Sequence, residues 1–176
     1  MVKISDTAYI AEGAIIKGDV EIGENASVWY NAVIRGDSVK VVIGDESNVQ
    51  DGCIIHGEAP VTLGKRVSLG HGVIIHGATI GDNVLVGMGS VVMDGAVIGE
   101  NSLVAAGSLI TKGKIFPPNS LIMGSPASVK RELTPAELES VSFNADLYIA
   151  TAIKHRDERW ETPTDDIIEE VKKSRG

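Results

Sequence analysis

The sequence predicts a mainly β chain: a parallel β-helix shaped as a triangular prism of six-residue repeats, followed by a C-terminal α-helix and a short terminal helix. Three observations predict it. Aliphatic residues recur at every sixth position through most of the chain, and a small residue usually stands four places after each. With 20 glycines and only 4% aromatic residues against 43% hydrophobic ones, the core must be built from small aliphatic side chains in tight turns. A length of 176 residues suits one such core with an appendage.

The lead aliphatics run Ile10, Ile16, Ile22, Val28 and Ile34, then Ile43, Val49 and Ile55, then Leu63, Leu69 and Ile75, then Ile80, Val86, Val92, Ile98, Val104 and Ile110. The fifth position of these hexads holds Ala14, Val20, Ala26, Ala32, Ser38, Ser47, Cys53, Ala59, Val67, Val73, Thr79, Val84, Ser90, Ala96, Ser102 and Ser108. An inward branched side chain followed four places on by a small one describes a short strand and a corner. Three faces make a turn of ~18 residues, and turns stacked at ~4.8 Å align the leads in interior ladders. A sustained period of six fits neither the 3.6 of a helix nor the 3.5 of a coiled coil. Cys53 falls in a small-residue slot with nothing basic beside it, so it is expected to be a buried structural thiol.

The repeat frays through 112–118, resumes near Leu121 and ends at 124–127, which places the prism at 8–127. A helical segment over 134–176 follows. Thr134, Pro135 and Glu137 supply a cap, a first-turn proline and the acidic partner of a capping box. Leu138, Val141, Ala145, Tyr148, Ile149 and Ala152 then form one apolar stripe, suited to the prism or to a neighbouring subunit. A second short helix begins near Thr164 and includes Ile167, Ile168 and Val171.

A net charge of −8 offers no footprint for phosphate backbones or anionic lipid, so neither nucleic acid nor membrane is expected as a partner, and small molecules are. The N-terminus lacks the apolar stretch of a signal peptide and no apolar run approaches the ~20 residues of a spanning helix, so a cytoplasmic location is expected.

Three of the four histidines fall inside the repeat. His56 and His76 take the second position of hexads that are three apart, so they stack, with Arg35 below them in the same outward column. His71 takes the third position of the hexad on the preceding face, above Asp51, which has Gln50 beside it. Side chains on two faces diverge, so His71 does not easily join His56 and His76 on one ion within one chain, given Zn–N bonds of ~2.0–2.1 Å. A shared metal must then bridge chains, and a heterologous contact repeated by threefold rotation closes a homotrimer with three sites. Any single outward histidine is ordinarily a solvated surface residue, and His155 is read that way. Three imidazoles so placed, with Arg35, Asp37, Gln50 and Asp51 about them, point to a metal site.

The run Trp29-Tyr30-Asn31-Ala32-Val33-Ile34-Arg35-Gly36-Asp37, the run Ser47-Asn48-Val49-Gln50-Asp51, and His56, Gly70-His71 and His76-Gly77 resemble the gamma-class carbonic anhydrases. The likeness covers roughly residues 8 to 150 and implies a left-handed coil. It implies that His56, His71 and His76 hold Zn²⁺, or alternatively Fe²⁺ or Co²⁺, and that a metal-bound hydroxide hydrates CO₂ reversibly to bicarbonate. It implies further that Gln50 positions hydroxide or bicarbonate, and that Arg35, Asp37 and Asp51 form an intersubunit charge network. Asn144 and Tyr148 resemble helix residues that approach the pocket in relatives. Met88 and Met93, one coil above His71 and His76, suit either an apolar roof or ordinary interface packing.

The resemblance has departures. The best-studied type of gamma enzyme carries a proton-shuttling Glu in an acidic loop after the first histidine and an acidic residue after Arg-Gly-Asp. Here that loop is only Gly57-Glu58-Ala59-Pro60, and Ser38 follows Asp37. Two alternatives stay open: a hexapeptide acyltransferase acting on acyl-CoA with one histidine as base, or a related metal-dependent thioesterase, and a catalytically silent metal-binding homologue.

Overall fold

The computed structural model describes residues 1–175. The chain coils as a parallel β-helix of about 7 turns with two helices near its C-terminus. On the face that carries the paired histidines, the first part of Ile15–Ile22 is followed in parallel register by the first part of Val33–Ile43, then Ile54–His56, Ile74–His76, Val91–Val92 and Leu109–Ile110. The second face continues those two long strands round a corner and adds Val61–Leu63, Thr79–Ile80, Val97–Ile98 and Ile115–Phe116. Gly18, at φ +90°, meets the Gly36 carbonyl so closely at that corner that any Cβ would clash. The third face stacks Tyr9–Ile10, Ser27–Val28, Asn48–Val49, Ser68–Leu69, Leu85–Val86, Leu103–Val104 and Ser120–Gly124.

The lead aliphatics form the predicted ladders. Ile34, Ile55, Ile75, Val92 and Ile110 are all fully buried, each opposite the next. The small-residue slot needs correction at one corner. Ser38 and Thr79 are exposed and Ala59 is half-buried, while Val41, Val61 and Ala78 fill the interior instead. Side chains alternate along a strand, so the inward residues are a lead and the residue two before it. The slot therefore belongs to the coming strand. Counting forward from the previous lead fails where the corner changes length, as it does between Ile34 and Ile43, Ile55 and Leu63, and Ile75 and Ile80.

Strand pairing also extends past the predicted limits. Lys3–Ile4 pairs with Glu21–Ile22, and Ala127–Glu132 folds back antiparallel on Ser120–Gly124. The helix α1 (Pro135–Arg156) begins with the predicted capping box, in which Thr134 and Glu137 satisfy each other's amides. It then runs back along the third face against Tyr9–Ile10, Ser27–Val28 and Asn48–Val49, burying Val141, Ala145, Ile149 and Ala152. The helix α2 (Thr164–Ser174) packs Ile167 and Ile168 against Ala150 of α1. Gly176, the last residue of the predicted helical segment, lies outside the described residues. Among the described residues no helix is long and apolar enough to cross a membrane.

Candidate metal centre

Parallel register places His76 directly over His56, with ring centroids 5.4 Å apart. Below them, the Arg35 guanidinium donates to Asp37 Oδ2 at 2.7 Å and draws that carboxyl below its ordinary range. Asp37 Oδ1 lies 3.3 Å from His56 Nε2 but out of hydrogen-bonding alignment, so Nε2 is a buried nitrogen with no hydrogen-bond partner among the described residues. Such an atom forfeits its hydration unless something else occupies its lone pair.

His76 is held differently. Its Nδ1 hydrogen-bonds Asp94 Oδ2 at 2.6 Å, and Asp94 Oδ1 accepts the Glu58 N–H at 3.2 Å. Burial pushes the Asp94 carboxyl up, but the His76 imidazole and the Glu58 amide outweigh it and leave the group below its usual value. Sequence reasoning missed Asp94. The available signal was its place one coil above Gly77, where a missing side chain leaves room for a carboxylate to reach down to His76.

His71 stands on the third face, its Nδ1 hydrogen-bonded to Asp51 Oδ2 at 2.9 Å and its side chain half-exposed. It does not meet the other two: among the described residues, no three His, Cys, Asp or Glu side chains of this chain converge on one ion. His71 instead opens on a cavity of about 350 Å³ lined also by Gln50, Met88, Asn144, Leu147 and Tyr148. Four residues named from sequence, His71, Gln50, Asn144 and Tyr148, thus share one space although α1 supplies two of them. Gln50 is buried and donates Nε2–H to Asn48 Oδ1 at 3.0 Å, which fixes the amide. Asn144 Oδ1 is buried without a partner among the described residues. Burial, aided by the nearby Asp51 and Cys53, pushes the Tyr148 hydroxyl up to about 12, so it remains a proton donor.

The methionines divide. Met88 lines this cavity one coil above His71, whereas Met93, one coil above His76, is partly exposed and does not. Cys53 is fully buried, its thiol pushed up to about 12 by desolvation, and Sγ–H donates to the Gly70 carbonyl at 3.2 Å, as expected of a structural thiol. His155 departs from expectation. It is half-buried among Tyr9, Trp29, Tyr30 and Trp160, with Nδ1 3.0 Å from the Tyr30 hydroxyl, because α1 folds back far enough to bring residue 155 onto the first coils. A larger, shallow cavity of about 630 Å³ lies on the second face around Lys3, Glu21, Asp45 and Lys65, but no histidine lines it.

The donor set fits a divalent cation on this structure's own terms. His56 Nε2 is buried and unpartnered. His71 and His76 each give Nδ1 to a carboxylate, leaving Nε2 as the nitrogen with a free lone pair. What one chain lacks is the third imidazole beside the pair.

A profile described as "Bacterial transferase hexapeptide (six repeats)" matches residues 1–36 and 77–112. A protein of Methanocaldococcus jannaschii named "Probable carbonic anhydrase" is 57% identical over 148 residues, which span 83% of this chain and 93% of that protein. The "Carbonic anhydrase" of Geobacillus kaustophilus is 46% identical, over 79% of this chain and 78% of its own. Among solved structures, a hexapeptide transferase family protein from Anaplasma phagocytophilum superimposes with a TM-score of 0.84 at 45% identity, covering 86% of this chain and 90% of that one. With these relatives beside the hexad ladders and the histidine columns, the chain belongs to the gamma-class carbonic anhydrase-like family of hexapeptide-repeat proteins.

Proposed function

We propose that the chain works as a homotrimeric metalloenzyme that hydrates CO₂ reversibly to bicarbonate. The observation that carries the reading is the buried, unpartnered His56 Nε2 beside His76, with the third imidazole, His71, displayed on another face. Three copies related by threefold rotation bring the His71 of one to the His56–His76 pair of the next. The outward residues Ile15, Ile54 and Ile74 of the histidine face are exposed in one chain and suit burial in that contact.

A divalent cation, Zn²⁺ or alternatively Fe²⁺ or Co²⁺, supplies Lewis acidity there and a source of hydroxide near neutral pH. The chain's own groups do the rest. His56, His71 and His76 hold the ion. Gln50, its Nε2 tied to Asn48, would position hydroxide or bicarbonate in the cavity it lines. Tyr148 and Asn144 offer a hydroxyl donor and an unpaired carbonyl on the cavity wall. Arg35, Asp37 and Asp51 lie beside the histidines and would supply the charge network between subunits.

Two other readings have support of their own. The transferase profile and the superimposed transferase family protein favour the acyltransferase reading. The short stretch Gly57–Pro60 favours a catalytically silent metal-binding homologue. Anaerobic purification with metal analysis, stopped-flow CO₂ hydration and coenzyme A binding decides among them. One metal per chain, with hydration that disappears in His71→Ala, is expected. A metal-free chain that binds coenzyme A overturns the proposal, and full metal occupancy without hydration overturns CO₂ hydration and moves the function to another substrate, as in a metal-dependent thioesterase, or to the silent homologue.

A further inference from the structure

We propose that Asp94 is a positioning residue that sets the tautomer of His76 and so presents Nε2 to the cation. The inference rests on the reading of His76 as a metal ligand. A carboxylate is acceptor-only, so the 2.6 Å contact with Asp94 Oδ2 requires the proton of neutral His76 to sit on Nδ1. The lone pair then lies on Nε2, the ring nitrogen for which the described residues show no hydrogen bond.

Asp94 is itself fixed. Its other oxygen accepts the Glu58 N–H, and the space it crosses is open only because residue 77 is glycine, whose Cβ would collide with Oδ1. The loop after His56, the glycine after His76 and the aspartate one coil above therefore form a single holder for the imidazole. Asp51 plays the equivalent part for His71.

An asparagine in this place has one acceptor for two donors. If its carbonyl serves the Glu58 amide, its NH₂ faces His76 Nδ1 and drives the proton to Nε2, which blocks metal binding. Alanine removes the orienting group but leaves the tautomer free. The two substitutions should therefore rank in opposite orders: Asp94→Asn keeps the corner packing and the Glu58 contact, yet harms metal binding more than Asp94→Ala.

The test compares wild type, Asp94→Asn and Asp94→Ala as full-length chains. Two measurements are made: Co²⁺ affinity by chelator competition, and the tautomer of His76 by ¹⁵N–¹H NMR of the metal-free protein at alkaline pH, where neutral imidazoles dominate. The expected results are a loss of affinity of about 10–100-fold in Asp94→Asn, a smaller loss in Asp94→Ala, and a proton that moves from Nδ1 to Nε2 only in Asp94→Asn. Thermal midpoints should fall in the reverse order. Unchanged Co²⁺ affinity in both Asp94→Asn and Asp94→Ala, or affinities that follow the thermal midpoints, would overturn the role of Asp94 while leaving the metal centre intact. A wild-type chain that binds no Co²⁺ overturns the metal centre itself.

Discussion

Ile54 and Ile55 are neighbours on one strand, yet they answer to different rules. Ile55 is fully buried in the interior ladder, while Ile54 is 43% exposed on the histidine face. The alternation of a strand buries every second residue as soon as the coils stack. An outward residue acquires energetic weight only when something else covers it. The three faces differ in that cover: α1 lies on the third, a second copy is proposed for the histidine face, and the second face is open.

The largest stability effect should therefore come from inside. Ile55→Ala is expected to cost ~2–5 kcal/mol, read as a lower denaturation midpoint. Ile54→Ser, one residue away, should leave the unfolding of the dissociated chain within about 0.5 kcal/mol. Its effect should appear instead as weaker assembly in sedimentation. If Ile54→Ser leaves assembly intact, the histidine face is not the contact between copies and the cover proposed for it is wrong.

The same division explains what could be read from sequence. The ladder from Ile10 to Ile110 was legible because burial inside a coil depends on local spacing alone, and the capping box at Thr134 is equally local. The outward columns were legible in part. Register stacks His56 under His76 and sets His71 apart, and both follow from counting hexads. Asp94 was not found, because its contact requires knowing that Gly77 leaves a gap. The slots assigned to Ser38, Ala59 and Thr79 were misplaced by changes in corner length. His155 and Arg175 were unreadable for a different reason: their partners, Tyr30 and Glu46, lie more than a hundred positions away and meet them only because α1 and α2 fold back.

Arg175 belongs to the covered third face, where it meets Asp146 of α1. Asp146, its side chain 10% exposed, accepts from Arg66 at 3.0 Å and from Arg175 at 2.8 Å. Burial pushes its carboxyl up, and the Arg175 and Arg66 guanidiniums outweigh burial, so it ends below the ordinary 3.8. A carboxyl lowered by folding stabilises the protein above its unfolded value, and that contribution fades as pH falls through the folded one. Asp146→Asn should thus cost about 1–3 kcal/mol at neutral pH, less than a fully buried broken pair, because Glu46 remains to pair with both arginines. The gap between variant and wild type should narrow below about pH 4. A gap that stays constant from neutral pH into the acid range would show that α1 is held by its apolar stripe alone.

The smallest effect is expected on the open second face, where the pKa displacement is larger. Glu21 is drawn down to about 2, first by its hydrogen bond from Lys40 and then by that from Lys3. The sign is the same as for Asp146: any stabilisation is present above the unfolded carboxyl value and is lost as pH falls toward the folded one. Both lysines stand in solvent, however, and mobile ions screen such pairs while side-chain ordering opposes them. Glu21→Gln should accordingly leave the thermal midpoint unchanged at physiological salt, even though NMR titration of the wild type finds a depressed Glu21. If Glu21→Gln instead destabilises as strongly as Asp146→Asn, solvent is not reaching the pair. The cavity between Lys3 and Lys65 would then be covered in the assembled protein, and the rule that outward charges count only under cover would itself locate a contact on the second face.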